Sequence, residues 1–435
     1  MYLLIRNGYI IDPASDREGI YDILIENDRI FKVEQKLDLE QMMKDTKTLR
    51  EDIIVIDAKD HYIMPGFIDL HVHLREPGYE YKETIATGSK AAAAGGFTTI
   101  CAMPNTKPAI DHKEKLQWLL ERIKKTSLVN VLPVAAITLE QDGRELVEIS
   151  EMKAAGAVAL SEDGKSVMDT SLYARAMKEA AKQGLPIFAH CEEKGLAGNG
   201  VINAGSKAEE LGLPGICNAV EDIITARDIL LAKETGAKLH ICHCSTKDSV
   251  AMIGLAKKQG LSVTGEVCPH HFILTQEEIH SDDANYKMNP PLRKQEDVEA
   301  IKEALKNDII DVIATDHAPH SKEEKDQSFG QAPFGIVGLE TAFALTYTEL
   351  VKKEQLSLKQ LVEKMSLNPA RILQIDRGSL REGAIADLVI VDPKEEYIID
   401  KNSFYSMGKN TPFHGRKVTG RIKNTIINGT IVYQL

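Results

Sequence analysis

His71-Val72-His73 sets two imidazoles two residues apart, and in an extended strand that spacing puts both on one face, as two-point chelation of a metal ion requires. Alone, such a pair is equally well two hydrogen-bonded histidines at a strand end. Other polar outliers break the tie. Asp163, His190, His243 and Asp316 each follow a short run of strand character, so five such runs end in side chains able to bind a metal. Four histidines and two aspartates offer nitrogen and oxygen donors for two zinc ions, each keeping a position for water. Two such ions can share a hydroxide, because coordination lowers the pKa of water from about 16 toward about 7.

Cys191, Cys242 and Cys244 lie beside these histidines. If His243 faces inward, strand alternation turns Cys242 and Cys244 outward to pack against helices, whereas Cys191, past its strand end, stays open as a ligand. A second set of residues falls just beyond the first: Arg75, Asn105, Asn289 and His320. Singly each is an ordinary loop residue. Together, a guanidinium with amide and imidazole donors suits a carboxylate, at roughly 1.5–3 kcal/mol per charge-assisted bond. Gly95-Gly96, Gly330, Gly335 and Gly338 make no phosphate-cradling pattern. The mixed charges of 322–326 suggest a solvated loop or a lid.

Positioning so many groups at strand ends needs a barrel. From about residue 64 to 375, strand-like and amphipathic helical runs alternate. Eight strand cores are expected at 67–72, 97–102, 129–134, 157–160, 187–189, 238–241, 261–267 and 309–314, with helices such as 113–125, 172–183, 220–236 and 298–306 between them. Eight βα units specify a closed (β/α)8 barrel, the TIM barrel, whose reactive groups sit at the carboxyl ends of the strands. Both chain ends read instead as short strands, with a hairpin signal at Asn428-Gly429. The expected division is a composite β-sandwich from 1–63 and 377–435, and a barrel from 64–376.

Bulk properties narrow the partners. A net charge of −12 in 435 residues disfavours nucleic acid or an anionic membrane, both of which need clustered basic surface. Apolar stretches are too short for a signal-peptide core or a membrane span. Six cysteines without regular spacing do not suggest a disulfide framework, and a cytoplasmic location is expected.

Pro65-Gly66-Phe67-Ile68-Asp69-Leu70-His71-Val72-His73 resembles the signature of the amidohydrolase superfamily. His73-Leu74-Arg75-Glu76-Pro77-Gly78, Met103-Pro104-Asn105-Thr106 and Ala314-Thr315-Asp316-His317-Ala318-Pro319-His320 resemble the type I dihydroorotases in particular. The resemblance spans essentially the whole chain. It implies His71, His73 and Asp316 on one Zn2+ and His190 and His243 on the other, with Asp163 and a hydroxide bridging them. Hydantoinases and dihydropyrimidinases bridge with a carboxylated lysine instead, and Lys165 shares the parity of Asp163.

The implied substrate contacts are His73, Arg75, Asn105, Asn289, His320 and the Phe334-Gly335 backbone, and Asp316 would carry the proton. The implied reaction is the reversible cyclisation of N-carbamoyl-L-aspartate to dihydroorotate, the third step of pyrimidine synthesis. A homodimer, and association with aspartate transcarbamoylase, would also follow. The competing readings are a dihydropyrimidinase, hydantoinase or allantoinase, and a non-catalytic partner of aspartate transcarbamoylase.

Overall fold

The computed structural model describes residues 2–46 and 53–435; Met1 and 47–52, within the segment assigned to the terminal sandwich, lie outside the described residues. The central part is the expected ring of parallel strands. In order these are Phe67–Val72, Phe97–Ala102, Asn130–Ala136, Ala159–Ser161, Ile187–Ala189, Leu239–Ile241, Val263–Val267 and Val312–Ile313. Each pairs with its sequence neighbour. A parallel bridge between Val72 and His317, with His73 N donating to His317 O at 2.9 Å, brings the eighth unit back against the first.

Alternation splits the apolar side chains into two layers, because successive strand residues face opposite sides. Ile68, Cys101, Val134, Ala159, Phe188 and Val312 pack in the lumen, and Ala370 and Leu373 of the helix Asn368–Leu373 join the same cluster. Ile100, Val131, Ile187, Leu239, Val263 and Ile313 face outward to the helices. These helices include Lys113–Thr126, Thr170–Gln183, Ala219–Thr235 and Gln295–Lys306, all close to the expected spans.

The chain ends share one sheet of eight strands. Tyr2–Asp12 is one continuous strand, with a register shift between Ile5 and Gly8. Asn7 takes φ 60° there and the strand stays continuous through the irregularity. Tyr62–Pro65 pairs with Leu388–Val391, joining the two arms, and Leu3, Ile23, Ile63, Leu388 and Ile426 meet in one buried cluster. The expected hairpin is present between Lys417–Ile427 and Thr430–Gln434. Its Asn428 and Gly429 take φ 48° and 73°, and a Cβ on Gly429 would lie 1.8 Å from Asn27 O, so only glycine fits. Among the described residues no helix is long and apolar enough to cross a membrane.

Candidate active site

Every strand-end donor expected from the sequence converges at one end of the barrel. His71, His73 and Asp163 form one triad of ligand atoms within 4.8 Å of one another; Asp163, His190 and His243 form a second, and His71, His243 and Asp316 a third. All six residues are buried. Asp163 belongs to two triads that otherwise share no residue.

Hydrogen-bond partners set the direction of each imidazole lone pair. His71 Nδ1 lies 2.9 Å from Glu266 Oε1, so it carries the proton and leaves the Nε2 lone pair aimed at Asp163 Oδ1 (3.2 Å) and Asp316 Oδ1 (3.6 Å). His73 Nδ1 donates to Asn105 Oδ1 at 2.9 Å, a direction fixed because Asn105 Nδ2 donates to Asp163 Oδ2 at 2.8 Å. Its Nε2 then faces Asp316 Oδ1 at 3.0 Å. His190 Nε2 donates to Glu192 Oε2 at 2.8 Å, which turns the Nδ1 lone pair toward His243 Nε2, 3.0 Å away.

Lone pairs and carboxylates thus point at common space, an arrangement that repels itself unless a cation sits within it. His71 Nε2 is buried without a hydrogen-bond partner among the described residues. Burial opposes a charged His71, yet the Asp316 and Asp163 carboxylates hold its pKa well above the ordinary value, which expresses the same demand for positive charge. The donor set therefore fits metal ions, with His71, His73 and His190 each oriented by a partner on the far nitrogen, as metal-binding histidines are.

The backbone leaves the strands with irregularities that aim these groups. Asp69, fully buried, accepts from His71 N and Thr315 N and from Thr315 Oγ1 (2.6 Å), tying the first and last strands just beneath the ligands. Burial lifts its carboxyl to about 7 despite those bonds. Arg75, His243 and Asp316 have φ of 61°, 35° and 45°, a left-handed conformation costing on the order of 1 kcal/mol per residue. The turn at His243 corrects one expectation. Cys242 is not turned outward: it packs in the lumen, and its sulfur lies within 4.8 Å of His71 and Glu266 ligand atoms. Ile241 packs in the outer layer, so alternation turns Cys242 inward, and His243 faces the site as well because its positive φ breaks the alternation at that residue. Cys244 is in the outer layer as expected, and Cys191 joins it there, its thiol toward Ala189 O.

The loop residues assemble as a rim. Arg75 Nε donates to Pro319 O at 3.2 Å, and its terminal nitrogen lies 3.4 Å from His320 Nε2. Among the described residues no carboxylate forms an ion pair with Arg75. His320 Nε2 donates to Phe334 O at 2.8 Å; burial and the nearby Arg75 and Lys82 cations keep its ring neutral. Gly335 packs so closely that a Cβ there would lie 2.5 Å from Ala318 O and 2.8 Å from His320 Cδ2. Asn289 Nδ2 donates to Glu192 Oε2 at 2.9 Å, linking it to His190. Lys165 is exposed, its ammonium toward Glu140 O at 3.4 Å, so it does not share the position of Asp163. Residues 322–326 are not a freely solvated run: Lys322–Lys325 is a short helix capped by Ser321, and buried Lys325 donates to Pro333 O and Gly335 O.

Sequence reasoning missed Glu266, Glu192, Asp69 and the buried trio Cys268, His270 and His271. Glu266 accepts from His71 and, at 3.0 Å, from His240 Nε2. His271 Nε2 donates to Pro290 O at 2.9 Å, steadying the loop that carries Asn289. For Glu266, the signal was a lone charged residue inside an otherwise uncharged strand.

A family model described as "Dihydro-orotase-like" matches residues 60–249. A dihydroorotase from Caldanaerobacter subterraneus subsp. tengcongensis is 48% identical over 434 residues, covering 100% of this chain and 98% of that protein. One from Anoxybacillus flavithermus is 52% identical over 87% of this chain and 89% of its own length. Among solved structures, an L-hydantoinase (dihydropyrimidinase) from Arthrobacter aurescens superposes with a TM-score of 0.87 at 26% identity, covering 100% of this chain and 96% of that one. With the strand-end donors in place and 48% identity sustained from end to end, the chain belongs to the dihydroorotase family.

Proposed function

We propose that this protein is a dihydroorotase, closing N-carbamoyl-L-aspartate to (S)-dihydroorotate with release of water and reopening the ring, in the pyrimidine pathway. One observation carries the reading: Asp163 is shared by two histidine pairs, and beside them lies an arginine with no acidic partner among the described residues. His71, His73 and Asp316 would hold one zinc ion and His190 and His243 the other, with Asp163 between them. When bound, the metals would acidify water and polarise a carbonyl oxygen.

The chain's own groups do the rest. Arg75, Asn105 and His320 would hold the substrate carboxylate, with Arg75 supplying the positive charge. His73, Asn289 and the Phe334–Gly335 backbone complete the lining. Asp316 is the proton carrier: burial opposes its charge, but the surrounding His71 and His73 bring its pKa down to about 2, so it is an ionised base at neutral pH. In ring opening it takes the proton of the attacking water and delivers it to the departing ring nitrogen. In closure it takes a proton from the ureido nitrogen and returns it to the departing oxygen.

The exposed Lys165 argues against the lysine-bridged hydantoinase type, and the complete donor set argues against a non-catalytic partner. We also take the chain as a cytoplasmic homodimer able to associate with aspartate transcarbamoylase. We take its two domains as the terminal sandwich, 1–63 with 377–435, and the barrel, 64–376; the strand Tyr62–Pro65, which pairs with Leu388–Val391, runs across that boundary. The test is the initial rate on dihydroorotate beside dihydrouracil, hydantoin and allantoin. A preference for dihydroorotate that collapses in Arg75→Ala is expected; preference for a ring without a carboxylate would move the activity to a sister enzyme.

A further inference from the structure

Asn410 belongs to the carboxy-terminal arm, 90 residues beyond the rim loop it touches, and is 2% exposed. Its side chain fills every hydrogen-bonding direction it uses with backbone of the substrate rim. Oδ1 accepts from His320 N at 3.0 Å, while Nδ2 donates to Ala318 O at 2.9 Å and Gly335 O at 3.0 Å. Its own carbonyl accepts from Val337 N at 2.9 Å. Only one orientation of the amide satisfies all three side-chain bonds.

The segment around it is built for close approach. A Cβ on Gly408 would lie 2.6 Å from Pro319 Cβ. Tyr405 N and Ser406 N both donate to Glu340 at 3.0 Å, and Ser406 Oγ donates to Glu83 Oε2 at 2.5 Å. Asn410 is thus a fixed post, set between the loop carrying His320 and the loop carrying Gly335, and the two loops meet through it.

We propose that Asn410 is a positioning residue for the substrate pocket, setting the spacing between the His320 and Gly335 loops; the inference rests on the dihydroorotase reading of that pocket. It touches neither metal donors nor reacting atoms. Its loss should weaken substrate binding and leave the chemical step and the metal content alone. Aspartate at 410 keeps the shape and the acceptor for His320 N but sets an oxygen against two carbonyls, whereas alanine leaves His320 N and Ala318 O unpaired and Gly335 O held by Lys325 alone.

The experiment uses full-length Asn410→Asp and Asn410→Ala enzymes, with KM and kcat on dihydroorotate, bound metal by elemental analysis, and amide hydrogen exchange across 317–320 and 334–337. The expected result is KM raised about tenfold or more, kcat within about threefold, unchanged metal content, and faster exchange in those two segments. An unchanged KM overturns the proposal, as does a loss of rate that merely follows loss of folded, metal-loaded protein. Asn410→Asp carries the test if Asn410→Ala does not fold. If the wild type ignores dihydroorotate, the proposed reaction fails but the exchange measurement still decides: unchanged protection in both segments refutes the positioning role.

Discussion

Replacing Glu266 by alanine should weaken metal binding without touching a single donor atom. Glu266 is fully buried, and its two oxygens accept from His71 Nδ1 at 2.9 Å and His240 Nε2 at 3.0 Å. Removing it frees His71 to place its proton on Nε2, the nitrogen that faces Asp163 and Asp316, where the proton occupies the position a metal ion needs. Loss of such a partner typically weakens metal affinity 10–100-fold, about 1.4–2.7 kcal/mol. The N–H groups of His71, His240 and the His243 backbone left unpaired would cost a further 1–3 kcal/mol each, roughly, in stability.

Glutamine should be far milder than alanine. Its oxygen can keep the bond from His71, and its amide can donate to His240 if that ring moves its proton to Nδ1, where Thr264 Oγ1 at 2.9 Å accepts it. The assay is a competition titration with a chelator on wild type, Glu266→Ala and Glu266→Gln, with thermal unfolding alongside. Wild-type metal affinity in a folded Glu266→Ala protein would refute the orientation argument, and so would a glutamine variant as impaired as the alanine one.

Three shorter predictions accompany it. Asp316→Asn should lose at least about 100-fold in kcat, the scale of a general acid–base contribution, and a variant retaining both metals and near-full activity would remove Asp316 as the proton carrier. Lys165→Ala should match the wild type in metal content and rate, measured together; a loss of metal would restore lysine as the bridging group. Burial lifts Glu340 from 4.5 to about 7, against the pull of the Ser406 and Tyr405 amides. The folded state therefore holds this proton more tightly, so the stability it contributes is complete below 4.5 and is lost as pH rises to about 7. Melting temperatures across that window should fall less steeply in Glu340→Gln than in the wild type, and identical slopes would contradict the assignment.

Periodicity made the barrel legible from residue order alone. Strand alternation put His71 and His73 on one face, apolar runs bounded by loop residues marked eight strands, and Asn428-Gly429 marked the terminal hairpin. The donors Asp163, His190, His243 and Asp316 were legible for the same reason, since barrel topology gathers strand ends whatever the loops between them do. What tertiary structure alone decided lies where local rules stop. His243 faces the site beside Cys242 because it leaves the strand with positive φ, which breaks the alternation that the sequence argument used. Glu266 and Asn410 carry no motif, and their roles come from partners 195 and 90 residues away. Type and spacing along a chain determine which groups can bind a metal. Which nitrogen carries the proton, and which loop a buried amide holds, depend on neighbours that only folding brings within 3 Å.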